Sequence, residues 1–289
     1  MNSYLSLIKE LQSEFGQVVE YKSAKGVTNE GWFLLEITPF PNPTELEQIV
    51  SDINNVRPVG VQGGKMVRLE NYNTSDHIVL QRAVREALKH LEEQTYKVAV
   101  YVGQTSMTAL KNQPIAIVIE PEISYFTYPY HPHINVGGYD KANKFYFPDS
   151  LCYTDNPQLL GSTQKERLLN AFSQISMWLF RHQVWEATRK YKKRGVWIGP
   201  ETGELLPQHY PRILEPNGMC WCDTNKSYKD CHSLSDHLAL ANEEAKRTKI
   251  PQQRIQKVIL SEEFKVWEQG IRLPKRDSLR QLNIAFNLS

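Results

Sequence analysis

An α+β protein, built from several helices, a set of strands and a small cysteine-rich module, is the fold class this sequence predicts. Three patterns predict it: apolar residues at three- and four-residue steps, short β-branched runs ended by glycine or proline, and a tight Cys/His cluster within 220–232.

In chain order, Leu5, Ile8, Leu11 and Phe15 share one face, so 1–16 reads as an amphipathic helix with charges inside it. Strands are expected near 17–22 and 32–38, the second ended by the proline-bearing stretch 39–43. Within 44–75 the pattern is thinnest; 45–54 reads as a short helix and 60–64 as a loop. A further helix opens after the N-cap residues Thr74 and Ser75 and sets Leu80, Val84, Ala87, Leu88 and Leu91 on one face. The runs 97–102 and 115–119 are rich in β-branched residues and closed by Gly103 and Pro121, as strands are. Residues 121–162 are dense in Pro, Tyr, His and Gly with no sustained period, which reads as a long ordered loop of the kind that holds function.

The strongest helix begins at Thr163, with Glu166 three residues on as a capping box. Leu168, Leu169, Phe172, Ile175, Leu179 and His182 form its stripe, Trp178 and Trp185 lie beside it, and it is expected to run to about Lys193. His182 on that apolar face reads as a packed histidine. Residues 234–289 read as two or three short helices broken by Pro251 and Pro274.

The bulk numbers exclude several classes. At 40% hydrophobic and 23% charged, the composition of the 289 residues is that of a globular chain rather than a disordered one. No apolar run approaches the roughly 20 residues a membrane span needs, and the charged first segment does not read as a secretory leader. A net charge of +2 gives no global pull toward nucleic acid. No Gly-Lys-Ser/Thr phosphate loop occurs, and no Ser–His–Asp order stands out. The pair Glu262-Glu263 reads as solvated.

Three of the four cysteines, Cys220, Cys222 and Cys231, crowd beside His232. Three thiolates and an imidazole, arranged as two close pairs joined by the polar loop 223–230, are the donor set of a tetrahedral structural zinc site with no open position. Metal rather than disulfide points to a reducing compartment, the cytoplasm. The run Cys-Trp-Cys-Asp-Thr-Asn-Lys-Ser-Tyr-Lys-Asp-Cys-His resembles the SEC-C motif, the zinc module found at the end of the protein-export motor SecA and appended to many bacterial proteins. Lys226, Tyr228 and Lys229 fit that family's basic-aromatic loop, while Asp223, Thr224 and Asn225 replace its usual Gly-Ser-Gly. The resemblance implies a docking element for a protein partner.

That leaves Cys152, and a lone cysteine is most often a small buried hydrophobe. Its neighbourhood offers another reading. Tyr130-His131-Pro132-His133-Ile134-Asn135, then Gly137-Gly138 and Ser150-Leu151-Cys152-Tyr153, resemble the active-site region of divergent bacterial ubiquitin-conjugating enzymes, which carry His-Pro-His ahead of a cysteine preceded by an aliphatic residue. Trp178-Leu179, His182, Trp185 and Trp197-Ile198-Gly199-Pro200 match a further stretch of those proteins. The separation between tripeptide and cysteine is longer here, with 144–148 as an extra hairpin or loop, and 40–95 exceed what a compact conjugating fold needs.

The resemblance implies an antiparallel sheet with packed helices over 1–205, an insertion near 40–95, a zinc module at 206–235 and a helical tail at 236–289. It implies acyl transfer through a thioester on Cys152, with His133 as oxyanion donor or loop stabiliser and His131 as structural support. The partners implied are a separate activating enzyme and a ubiquitin-like protein or other C-terminal acyl donor, in a bacterial conjugation or phage-defence setting. A second reading is a non-catalytic scaffold of the same fold that binds a protein partner through the zinc module. The cations Arg189, Lys190, Lys192, Lys193 and Arg194 read first as partners of a helix C-terminus, and second as a surface for an anionic or ubiquitin-like partner.

Overall fold

The computed structural model describes residues 18–23, 31–39, 59–62, 65–68, 81–86, 94–103, 113–121, 131, 133–135, 137–140, 145–154, 156–189, 197–198, 206–212, 214–218, 220–222 and 224–263, with a few single positions besides. In chain order the strands are β1 (Val18–Ser23), β2 (Gly31–Ile37), β3 (Val59–Gln62), β4 (Lys65–Arg68), β5 (Tyr96–Val102) and β6 (Ile115–Glu120). Four short ones follow: β7 (Ile134–Asn135), β8 (Gly138–Asp140), β9 (Phe145–Phe147) and β10 (Ser150–Leu151). The helices are α1 (Gln164–Arg189), α2 (Ser233–Thr248) and α3 (Gln252–Ile259), with 3₁₀ turns at Pro157–Leu160 and Pro207–Arg212. Among the described residues, no helix is long and apolar enough to cross a membrane.

The fold is α+β, and its centre is an antiparallel sheet in the order β1-β2-β5-β6. Side chains alternate across a strand, so a sheet covered on both faces needs apolar residues at nearly every position. The sequence obeys this. Phe33, Leu35, Val98, Val100, Ala116 and Val118 share one core with Leu168, Phe172, Ile175, Trp178 and Leu179 of α1. Leu34, Ala99, Tyr101, Ile115, Ile117 and Ile119 pack in a second cluster with Phe147 and Leu282. Phe33 and Phe172 meet edge to face at 6.4 Å between ring centroids, which ties the sheet to the helix.

The start of α1 follows the capping-box expectation. Glu166 Oε2 accepts from the Ser162 and Thr163 amides, both at 3.0 Å, and the Glu166 amide donates to Thr163 Oγ1 at 3.2 Å. The chain reaches that box through Gly161 at φ +128°, where a Cβ would come within 2.5 Å of Glu166 Cβ. Glycine is needed there both for the backbone and for the room.

Two sequence expectations are corrected. Residues 60–64 were expected as a loop, yet Gly60 lies inside β3, which pairs with β4 from Val59↔Arg68 to Gln62↔Lys65. The two residues between the paired ends are Gly63-Gly64, a two-residue hairpin signal that outweighs the reading of glycine as loop former. The stretch 121–162 is not one long loop but carries β7 to β10, strands of two or three residues that show no period of their own. The extra hairpin expected near 144–148 is β8 paired with β9. The expected helix at 45–54 and the basic stretch 190–194 lie outside the described residues. So does most of 1–16, of which Lys9 and Ser13 are described and helical. Ile78, 81–86 and Lys89 are also helical, in line with the helix expected after Ser75.

Candidate functional site

The three thiols and the imidazole of 220–232 converge. The Sγ atoms of Cys220, Cys222 and Cys231 and a ring nitrogen of His232 lie within 4.8 Å of one another, so the cluster could bind a metal ion. Cys220 Sγ is 3.3 Å from His232 Nδ1, Cys222 Sγ is 3.5 Å from Cys231 Sγ, and Cys231 Sγ is 3.2 Å from His232 Nδ1.

Backbone bonds bring the two pairs together. The Cys220 amide donates to Lys226 O at 3.0 Å, Tyr228 N to Gly218 O at 2.8 Å, and Cys231 N to Tyr228 O at 3.1 Å. His232 is the N-cap of α2, so the Cys231-His232 pair sits where the helix dipole favours thiolate. Thr224, in the loop between the two ligand pairs, has its hydroxyl 3.2 Å from both Cys222 Sγ and Cys231 Sγ.

The ionisation of the thiols is uneven. Burial pushes Cys220 up to about 12. Burial also acts upward on Cys222, but hydrogen bonds from the Thr224 hydroxyl and amide and from the neighbouring thiols draw it down to about 6. A cation at this cluster would displace the remaining protons, so binding and proton release are coupled.

Behind the ligands lies an aromatic wall that periodicity did not reveal. Trp221 stacks on Tyr210 with centroids 4.7 Å apart and planes at 6°, and its ring lies 4.6 Å from that of His232. Its indole N–H donates to Asp236 Oδ2 at 2.9 Å. Asp236 is 1% exposed; burial raises its pKa above the ordinary carboxylate value, against hydrogen bonds from Trp221 and Tyr228 that lower it.

The second candidate site is assembled by strand pairing. β7 and β10 run antiparallel with Ile134↔Leu151 and Asn135↔Ser150, and one rung further the Cys152 amide donates to His133 O at 3.0 Å. The intervening residues form the β8–β9 hairpin, which leaves the ladder ends together. The hairpin's base is tight: Gly137 N donates to Asp149 Oδ1 at 2.7 Å, and a Cβ at Gly137 would lie 2.3 Å from Phe147 O.

Cys152 is partly exposed, between buried Leu151 and buried Tyr153. Tyr153 donates to Pro114 O at 2.6 Å. Both loop histidines are buried, His131 at 0% and His133 at 3% exposure. The His131 ring lies among Trp178, Trp185 and Trp197, with centroids at 5.0, 4.4 and 5.3 Å. His133 stacks on Trp197 at 4.4 Å and 20°.

His182, which the sequence placed on an apolar face without a role, is packed as expected but also bonded: its Nδ1 lies 3.1 Å from His131 Nε2. Its position four residues after Trp178 sets the two on one helix face, and nothing in the sequence pointed to His131. No protein-family model, curated protein or solved structure matches this chain.

Proposed function

We propose that this chain is an acyl carrier of the ubiquitin-conjugating type, acting in the reducing cytoplasm, with Cys152 as nucleophile and a structural zinc ion on Cys220, Cys222, Cys231 and His232. The observation that carries the first part is the hydrogen bond from the Cys152 amide to His133 O at 3.0 Å. The long sequence separation between tripeptide and cysteine was the main departure from the family pattern. It is absorbed by the β8–β9 hairpin, while β7 and β10 hold the two motifs in register.

In this reading the Cys152 thiolate attacks the carbonyl carbon of a donor thioester and the donor's thiolate leaves. An acceptor amine then attacks the acyl carbon, the C–S bond breaks, and Cys152 leaves as thiolate while the amine loses its proton. His133, stacked on Trp197, serves as loop stabiliser, and His131 supports it from beneath. Activation of the carboxylate falls to a separate enzyme, and the donor is a ubiquitin-like protein or another C-terminal acyl group.

Zinc is favoured over other ions by the donor set. A tetrahedron with Zn–S bonds of about 2.3 Å has edges of roughly 3.8 Å. The separations of 3.2 to 3.5 Å differ from that edge by a few tenths of an ångström, and the widest in the cluster, up to 4.8 Å, by about 1 Å, so side-chain adjustment closes the set around an ion. Three thiolates and one imidazole leave no open position, so the ion stabilises the module around 206–235 and does not take part in the transfer.

Intact-mass trapping tests the carrier. The chain is mixed with a ubiquitin-like protein bearing a C-terminal Gly-Gly thioester, and the reading expects a covalent adduct that thiol reductant removes. The adduct should disappear in Cys152→Ala and persist in Cys231→Ala. Its absence from the native chain, or its survival in Cys152→Ala, would exclude the proposal.

A second reading, a non-catalytic scaffold of the same kind that docks a protein partner through the zinc module, is favoured by one observation. Both imidazoles of the tripeptide are buried, at 0% and 3% exposure, and offer little to a substrate. It predicts no adduct and intact metal.

A further inference from the structure

The backbone of His133 is held from both ends by α1. At its carbonyl, the Trp178 indole N–H donates at 2.9 Å, on the same oxygen that receives the Cys152 amide. At its amide, the His133 N–H donates to His131 Nδ1 at 3.1 Å. A ring nitrogen that accepts from an amide carries no proton, so the His131 proton lies on Nε2 in the neutral ring. That Nε2–H faces His182 Nδ1 at 3.1 Å, which must then be the acceptor. The direction of every bond follows from the one donor whose identity is not in question, a backbone N–H.

We propose that His182 is a positioning residue: through His131 it fixes which ring nitrogen accepts from His133, and so holds the rung that presents Cys152. Trp178 and His182 are one helical turn apart and only 1% and 3% exposed, so one face of α1 fastens the backbone of His133 by two routes. Stacking alone would leave the His131 ring free to flip. Trp178, Trp185 and Trp197 contact its faces and edges, but none of those contacts chooses between its nitrogens. The His133 amide at Nδ1 and His182 at Nε2 make that choice together, one at each nitrogen. The consequence for acyl transfer rests on the carrier function proposed above, whereas the relay itself does not.

Two variants of the full chain separate hydrogen bonding from packing. His182→Asn places an amide oxygen near the position of Nδ1 and preserves the acceptor. His182→Phe preserves the ring that stacks on Trp178 at 5.3 Å but removes the acceptor. Ring ¹⁵N spectra of the native chain at neutral pH should show His131 with Nδ1 unprotonated and Nε2 protonated. Amide hydrogen exchange at His133 and Cys152 should quicken about tenfold in His182→Phe and stay nearer the native rate in His182→Asn. A proton on His131 Nδ1 in the native chain, or protection in His182→Phe equal to or better than that in His182→Asn, would overturn the relay. Neither readout involves acyl transfer, so a chain that failed the thioester assay would still pass or fail this one on its own.

Discussion

The two candidate sites are held together by opposite means. Around Cys220 to His232 the apolar cluster is small: Tyr210, Leu214, Cys220 and Tyr228, with Trp221, Cys222 and Cys231 against it. Around His133 and Cys152 the floor is the main core, with Trp178, Trp185 and Trp197 each 1% exposed. The first is a cluster that could bind a metal ion, and its four donor groups stand close with little packing around them. The second is built by packing and by three hydrogen bonds to the His133 backbone. The comparison teaches where each will fail.

Chelation should produce the largest effect. Metal binding to small thiolate modules is worth roughly 10–16 kcal/mol and is coupled to their folding. Stripping the ion, or Cys231→Ser, is therefore expected to unfold 206–232 and free Trp221 from Tyr210, while the β1–β2–β5–β6 sheet and α1 stay folded. Hydrogen exchange mapped by peptide checks this, together with elemental analysis for about one zinc per chain. Uniform loss of protection across both regions would erase the contrast.

Trp178→Ala should come next and act on the other side. Loss of a large core aromatic costs about 3–5 kcal/mol. Here the indole bond to His133 O, at 2.9 Å, goes with it. Denaturant unfolding should show a matching fall in midpoint while the metal content stays at the native level.

Gly137→Ala sharpens the comparison within the second site. The added methyl group meets Phe147 O at 2.3 Å and the carbonyl carbon of Pro148 at 2.6 Å, so the hairpin base must shift. A cost of about 1–3 kcal/mol is expected. Reactivity of Cys152 toward a thiol reagent should change, with the metal cluster untouched.

The smallest effect is electrostatic. The Thr163 and Ser162 amides and hydroxyls that bond to Glu166 hold its carboxyl down to about 2, from an ordinary 4.5. A carboxylate whose pKa is lower in the folded state stabilises it fully above the unfolded value, and that contribution is lost as pH falls from about 4.5 toward 2. Thermal unfolding of Glu166→Gln against the native chain should show a difference at neutral pH that closes across that window.

These sites were unequally legible in the sequence. The cysteine cluster was readable because its ligands lie within thirteen consecutive positions, 220 to 232, and ligand chemistry constrains residue type strongly. The long helix, its capping box and the strands β2, β5 and β6 were readable because each repeats its pattern over several residues. The β7–β10 ladder was not. Its strands have two residues each, too few for alternation to show, and their pairing spans a hairpin. The role of His182 escaped for a related reason: periodicity says which face a residue occupies, but not which nitrogen another ring turns toward it. Thr224, Asp236 and Tyr210 are similar, since each matters through a partner distant in sequence or through an atom rather than a face. Leu282 joining the second face of the sheet likewise had no signal in its own segment.

The most direct test of the whole account is intact-mass trapping of the acyl adduct with and without prior chelation. An acyl carrier whose nucleophile rests on packing, and whose zinc is structural, should form a reductant-labile adduct on Cys152 in both samples. No adduct on the native chain, or an adduct that remains after Cys152→Ala, would contradict it.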